Sequence, residues 1–402
     1  MEMNEKQLRT WSQLDEISVA ALQLIVTEDE INPKFERTFT QKEATEYLKC
    51  DSRTLKRHIS ELDIKVAKYG VDFILTLEEV YRIRDALAPT TTLKKQVTPF
   101  KRSPKQKCQK IVISNQKGGV GKTVTTITLG SGLAVEYHQG YRICIIDMDG
   151  QSTLSMYQPN LDTSGRRATI GDLLIASIEG KMNENEFSEY VKASVADTTI
   201  PNLKILPADQ KDRELEAIFH KAVFAGQLTN PYDRLSQILE VIEDDFDIII
   251  IDTPPSYGYA SLNAYHAGSS IIFPLSANQN DLDATCNYFA YLPKMYTSLL
   301  ECGHHGYDFI KVLVTNYEET SSCLDIQDKL TQHFSSYVLG ESFKKSEAVR
   351  KCARAKNSVF DLSPSTYDGH KGTLKTAALN ARAVISKVHT EISNTWKKQL
   401  EG

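Results

Sequence analysis

One stretch restricts this chain more than any other: Ile111-Val112-Ile113-Ser114-Asn115-Gln116-Lys117-Gly118-Gly119-Val120-Gly121-Lys122-Thr123, followed by a helix-compatible segment. A short apolar strand that feeds a glycine-rich turn into a helix start aims backbone N–H groups and the positive end of the helix dipole at one spot. That arrangement suits a polyphosphate. Gly118, Gly119 and Gly121 place no side chain in the way, and Val120 sits among them. Lys122 is placed to reach β- and γ-phosphates, and the Thr123 hydroxyl to ligate Mg2+. The literal pattern G-x-x-x-x-G-K-[ST] is not met, because Gln116 holds the first glycine position. What stands instead is K-G-G-V-G-K-T, opened by an extra lysine, Lys117.

A chance glycine–lysine turn is the bland alternative, and two acidic strand ends argue against it. Ile145-Ile146 runs into Asp147-Met148-Asp149-Gly150, and Ile249-Ile250-Ile251 into Asp252-Thr253-Pro254-Pro255. In a doubly wound sheet the carboxyl ends of the strands line the ligand crevice. Asp252, ending an all-apolar run, is thus placed to hold Mg2+ through water. Asp147 and Asp149 sit where a strand unwinds, so either is a candidate for the γ-phosphate side; bracing the loop is the structural alternative for Asp147. The other apolar runs are Leu203–Leu206, Ile271–Phe273, Ile310–Val314 and a weaker Tyr337–Leu339, separated by helical stretches. Continuous Ile/Val runs are those of parallel strands buried on both faces. The fold class is therefore α/β, a doubly wound, mostly parallel sheet of the P-loop NTPase type filling residues 109–402.

The length, 402 residues, predicts two or three domains. Residues 1–36 form a leading helix: Leu8, Trp11, Leu14, Ile17, Val19, Leu22 and Ile25 recur near helical spacing and need a partner, either the chain's own domain or a second copy. Residues 37–88 read as a winged helix-turn-helix. Thr40-Gln41-Lys42-Glu43 opens a helix through Leu48, Lys49-Cys50-Asp51 breaks it, and a basic helix follows, capped by Ser52. Leu55 and Ile59 would face inward; Arg53, Lys56 and Arg57 would face out. Val71–Leu75 would be a small wing strand, before a helix over Glu78–Leu87. A helical adaptor is the alternative. Residues 89–108 hold Lys94, Lys95, Lys101, Arg102, Lys105 and Lys107 with no acid, as a basic linker would.

Composition closes off other classes. No run approaches the roughly 18–20 apolar residues of a membrane span, and no secretion signal follows Met1-Glu2-Met3-Asn4-Glu5-Lys6. The seven cysteines are scattered and odd in number, which fits reduced thiols in a cytoplasm rather than a disulfide framework. A net charge of −5 makes no general case for nucleic acid, so any such case rests on local patches.

Asn115 to Thr123, with Asp147-Met148-Asp149 and Asp252-Thr253-Pro254-Pro255, resembles the deviant Walker A ATPases in their ParA branch. The N-terminal extension and the length resemble the long ParA proteins of low-copy plasmids. The ATPase resemblance covers roughly residues 108–390. It implies a weak Mg2+-dependent ATPase that turns ATP into ADP and phosphate and acts as a homodimer. It makes Lys117 a signature lysine that reaches across an ATP-sandwich dimer, and Asp149 the group that orients the attacking water. Asn316, in Val314-Thr315-Asn316-Tyr317, matches an asparagine that the family places near adenine. The resemblance further implies ATP-dependent nonspecific DNA binding, a centromere-binding adaptor as partner, and a cytoplasmic, nucleoid-associated protein. One departure stands out: Gly150 occupies a position where the family usually has proline, which puts the rigidity of that loop in question.

Two basic elements compete for DNA. One is Arg53, Lys56 and Arg57, suited to an operator read by a dimer. The other is the run from Lys344 to Lys356, with Lys344, Arg350, Lys351 and Arg354 and one acid, Glu347. Arg350 and Arg354 share a helix face, and the run lacks aromatics and base-reading amides, so it suits phosphate contacts; a solvated face is the alternative. Three rival functions remain. The chain could be a nucleotide-responsive transcriptional repressor without a segregation role. It could be a membrane-targeted division-site ATPase, since Ala378, Ala381, Ile385, Val388, Ile392 and Trp396 recur helically near the end. It could be an iron–sulfur reductase, although Cys144 and Cys286 make no evident pair. His304-His305 reads as a loop, and no Ser/His/Asp triad is supported.

Overall fold

The computed structural model describes residues 5–31, 34, 36–69, 72–88, 99–157 and 167–401. They belong to two compact units, residues 1–35 and 36–402. The first holds helix α1 (Glu5–Ile31), on which Trp11, Leu14, Ile17 and Val19 are exposed.

The second unit opens with β1 (Thr38–Thr40), α2 (Gln41–Leu48), α3 (Ser52–Glu61), β2 (Ala67–Tyr69), β3 (Asp72–Thr76) and α4 (Leu77–Leu87). The Thr40–Glu43 capping box closes reciprocally, and Thr76 and Glu79 repeat it on α4. The cap of α3 is Asp51 rather than Ser52: the Thr54 amide donates to its carboxylate at 2.8 Å, while Ser52 is already the first helical residue. A carboxylate at this position also meets the positive end of the helix dipole. Leu55 is buried and Ile59 half-buried, with Arg53, Lys56 and Arg57 exposed. The three strands pair antiparallel in the order β1-β3-β2. The expected wing strand is β3, although Val71 lies outside the described residues.

This small domain is built onto the larger one. The Tyr47 hydroxyl donates to the Val135 carbonyl, Tyr81 to that of Ala134 at 2.9 Å, and Arg37 to that of Phe360 at 2.9 Å. Of the basic linker, 89–98 lies outside the described residues, and the remainder is docked. Phe100 stacks on Trp396 at 4.5 Å, and Arg102 donates to the Glu243 carbonyl at 2.8 Å. Arg102, and Lys110 just beyond the linker, are spent on the acidic corner of Glu243, Asp244 and Asp247.

The large domain runs β4 (Gln109–Ile113), α5 (Lys122–Glu136), β5 (Ile143–Asp147), α6 (Thr153–Tyr157), α7 (Ile170–Glu179), α8 (Glu184–Ser194), β6 (Ala196–Asp197) and β7 (Leu203–Leu206). It continues through a 3-10 turn (Gln210–Glu214), α9 (Leu215–Phe224), α10 (Arg234–Ile242), β8 (Ile248–Asp252), α11 (Tyr259–Ala267), β9 (Ser270–Ser276) and α12 (Gln279–Glu301). It ends with β10 (Phe309–Thr315), α13 (Ser321–Phe334), α14 (Glu347–Arg354) and α15 (Lys371–Glu401). The sheet order is β10-β9-β4-β8-β5-β7-β6, parallel except at the β6 edge. Tyr337–Leu339 is not a strand; Val338 makes only a single bridge to Val312 after a 3-10 turn.

Strand side chains alternate between two cores, which is why the runs are apolar throughout. Ile248 and Ile250 enter the core under α5 and α15, and Ile249 and Ile251 enter the one on the opposite face. Each such buried isoleucine contributes roughly 1.5–3 kcal/mol. The stripe Ala378, Ala381, Ile385, Val388, Ile392 and Trp396 on α15 belongs to the first core. It is therefore packing surface rather than a detachable membrane face. Among the described residues no helix is long and apolar enough to cross a membrane.

Candidate nucleotide site

Parallel pairing sets the acidic ends beside the phosphate loop. Register matches Ile113 with Asp252 and Asp252 with Asp147, so the ends of β4, β8 and β5 stand in a row at the carboxyl edge of the sheet. Between β4 and α5 the loop turns through Gly119 and Gly121, at φ of +80° and +87°, where a side chain would be strained. Val120 between them is fully buried, and its carbonyl accepts from the Thr315 hydroxyl at 2.7 Å, pinning the loop to β10. Sequence reasoning assigned Asn115 no role, yet it is the loop's footing. Its amide donates to the Pro274 carbonyl and the Thr285 hydroxyl, and its oxygen accepts from the Lys117 amide at 3.0 Å.

Lys122, at the first position of α5, is 7% exposed and curls back so that Nζ donates to the Lys117 carbonyl at 3.3 Å. Burial pushes its pKa down, opposed by the Asp252 and Asp149 carboxylates. Thr123 Oγ1 donates to Asp252 Oδ2 at 2.7 Å, and Thr126 Oγ1 to Asp252 Oδ1 at 3.3 Å. Asp252 is wholly buried, and burial, followed by repulsion from Asp147, raises its pKa to about 8. A buried carboxylate beside a hydroxyl, both hard oxygen donors, fits a divalent cation.

The two aspartates of the second acidic end part company. Asp147 is fully buried, and its oxygens accept from the Asp149 amide at 3.1 Å, the Ser155 amide at 2.9 Å and the Ser155 hydroxyl at 2.8 Å. Burial raises its pKa to about 6 against those bonds. Its geometry is that of a loop brace. Asp149 is half-buried and accepts from the Gln151 amide at 2.9 Å through Oδ1. Lys117 is 43% exposed at its side chain and lies 3.6 Å from Asp281 at the start of α12.

Asn316 closes the far wall. It stands in the left-handed region at φ +50°, and its amide nitrogen donates to Ser276 Oγ at 3.3 Å. With Gly119, Gly121, Thr315, Lys344 and Arg350 it lines a cavity of about 500 Å³ beside the loop. Lys344 and Arg350, expected on a DNA patch, therefore border this cavity too. The patch carries less bare charge than its sequence suggests. Lys344 pairs with Glu319 at 2.7 Å, Arg350 with Glu347 at 2.9 Å and Lys351 with Asp368 at 3.3 Å, whereas Arg354 is exposed. Glu319 and Asp368 reach it only through folding. Arg53, Lys56 and Arg57 lie on α3 and take no part in the phosphate loop; Arg57 pairs with Glu61 at 3.7 Å.

A glycine-rich loop between the central strand and α5, facing two carboxylate-bearing strand ends, defines a P-loop nucleotide-binding domain, and residues 108–299 match the family model described as an AAA domain. A protein of Rhizobium rhizogenes named a replication protein A is 25% identical over 369 residues, covering 90% of this chain and 88% of that protein. The plasmid partition protein A of Escherichia coli is 23% identical over 71% of this chain and 72% of its own length. A solved structure named a partition protein matches with a TM-score of 0.64 at 19% identity, covering 95% of this chain and 98% of that one. The chain is thus similar, in its phosphate-loop domain and over most of its length, to ParA-type partition proteins.

Proposed function

We propose that this chain is an ATP-driven DNA partition protein that binds Mg-ATP in the loop Lys117–Thr123, hydrolyses it slowly to ADP and phosphate, and attaches to DNA according to its nucleotide state. The observation that carries the reading is the contact of Thr123 with Asp252 beside the buried, inward-curled Lys122. An ammonium group buried in a loop of backbone amides has its natural counter-charge in phosphate. Thr123 and Asp252 would hold Mg2+, and phosphate oxygens and water would complete its shell. Bound there, Mg2+ supplies neutralisation of phosphate charge. Lys122 and the amides of 118–123 orient the β- and γ-phosphates, Asn316 faces the base, and Asp149 holds the attacking water while Asp147 braces its loop.

In a homodimer, supported by α1, Lys117 leaves Asp281 and reaches the partner's nucleotide. Lys344, Arg350, Lys351 and Arg354 then meet DNA phosphates without sequence preference. Arg53, Lys56 and Arg57 read an operator, and a centromere-binding adaptor couples the cycle to cargo on the nucleoid, in the cytoplasm. Titration calorimetry with Mg-ATP tests the core of this reading: wild-type protein gives saturable heat and Lys122→Ala none. Absence of wild-type binding overturns it.

A second reading, a nucleotide-responsive repressor without a segregation role, is favoured by one set of contacts. Tyr47 and Tyr81 tie the small domain to the C-terminal end of α5, the helix that starts at the phosphate loop. Gel shifts on random and operator DNA, with and without ATP, separate the two: partition requires ATP-dependent binding to random DNA.

A further inference from the structure

The turn that carries Asp149 is held from two sides. Asp147 holds it from within, through the Asp149 amide and Ser155. Arg213, in the 3-10 turn Gln210–Glu214, holds it from outside: Nε donates to the Gly150 carbonyl at 3.2 Å and Nη2 to Gln151 Oε1 at 2.8 Å. Among the described residues no carboxylate pairs with this guanidinium. Its base is firm, because the neighbouring Asp212 is buried and accepts from the Thr169 hydroxyl at 2.9 Å and the Asp209 amide at 3.0 Å.

Gly150 explains itself through the same contact. It is not among the glycines at positive φ, so backbone freedom is not its purpose. A Cβ there would lie 2.8 Å from Arg213 Cγ and 3.0 Å from the Arg213 amide nitrogen, closer than real side chains pack. The proline that the family resemblance leads one to expect at this position would occupy the space in which Arg213 lies. The orientation of Asp149 depends on this turn, because Oδ1 accepts from the Gln151 amide, and the Gln151 side chain is bound to Arg213.

We propose that Arg213 is a positioning residue for ATP hydrolysis, a strut that fixes the 149–152 turn and aims the Asp149 carboxylate, taking over a role that proline would otherwise fill. The inference rests on the reading of Asp149 as the group that holds the attacking water. Arg213 is exposed and its two hydrogen bonds are individually modest, so global stability is little affected by its loss. Hydrolysis is more sensitive, since displacements near 1 Å can cost orders of magnitude in rate.

The test is steady-state ATP hydrolysis in the presence of DNA by wild type, Arg213→Ala, Arg213→Lys and the double variant Gly150→Pro/Arg213→Ala. Amide hydrogen exchange of residues 149–152 is measured alongside on nucleotide-free protein. Arg213→Ala lowers kcat about tenfold with KM for ATP within about twofold, and speeds exchange in the turn. Arg213→Lys, which reaches one acceptor at most, falls between. The double variant regains part of the lost kcat, because proline stiffens the turn by itself. Unchanged kcat and exchange in Arg213→Ala, or a loss confined to KM, overturns the proposal. A wild-type chain that hydrolyses no ATP overturns the function proposed above; exchange then upholds or refutes the strut on its own.

Discussion

At the scale of single residues, the site is a small set of charges arranged so that each is compensated except where phosphate and metal would enter. Lys122 has no carboxylate within ion-pair distance among the described residues, only a carbonyl, so its replacement removes the loop's one inward cation. Lys122→Ala is expected to weaken Mg-ATP binding at least about a hundredfold, ~2.7 kcal/mol, as read by calorimetry. Lys117 is compensated by Asp281 in an ion pair that is partly exposed and correspondingly weak. Asp281→Asn should therefore release Lys117, leave monomer nucleotide affinity unchanged, and increase nucleotide-dependent dimer about two- to threefold in sedimentation velocity. A dimer weakened by the change would contradict that role. The sequence displayed Lys117, Lys122, Thr123 and Asp252 by type and spacing. It could not display Asn115 as the footing of the loop, or divide Asp147 from Asp149, since the first depends on partners 159 and 170 positions away and the second on a turn closed only after folding.

At the scale of elements, α14 shows why a charge run is a poor map of a charged surface. Three of its neighbourhood's cations stand near carboxylates from other segments and a fourth, Arg350, near Glu347 of its own helix; because such exposed pairs are weak, DNA phosphates can compete for them. Arg350 also lines the cavity beside the loop, so its removal mixes two effects. Lys351→Ala/Arg354→Ala is the cleaner variant. It is expected to weaken ATP-dependent binding to random DNA and lower the salt-dependence slope by about 2, with ATP binding intact. A slope equal to wild type removes α14 from the DNA surface. The small N-terminal domain carries a second expectation. Tyr81→Phe removes one of two donors to the Ala134 carbonyl, the other being the Asn202 amide at 3.1 Å, and should cost about 0.5–1.5 kcal/mol in urea unfolding. An unchanged midpoint would mean that the two domains are not mechanically joined there.

At the scale of the whole molecule, the 36–402 unit gathers side chains from both ends of the chain into one core, with Phe39 and Leu75 in the same cluster as Ile385 and Trp396. Two half-buried histidines stand at the margin of that core, and burial lowers His138 and His389 to about 4. A depressed histidine pKa means that the unfolded chain binds more protons between about pH 6.5 and 4, so this contribution to stability is intact above that window and lost as pH falls through it. Asp147 and Asp252, with raised pKa values, act in the opposite sense. The effect is therefore measured as a difference: the pH slope of wild-type stability between 6.5 and 4 should exceed that of His389→Gln by up to about one proton. Parallel slopes would place His389 in solvent contact. By itself the sequence determined the parallel α/β sheet, the phosphate loop and the acidic strand ends, because each is written in local periodicity and spacing that survive in any context. It also determined the small domain's helices, whose caps are local. Only the tertiary structure decided that the linker's second half is docked, that the α15 stripe is core, and that the basic run is partly neutralised. It alone set Arg213 in the space over Gly150. Those outcomes are contacts between segments far apart in the chain, and no pattern along one segment encodes what another will bring against it.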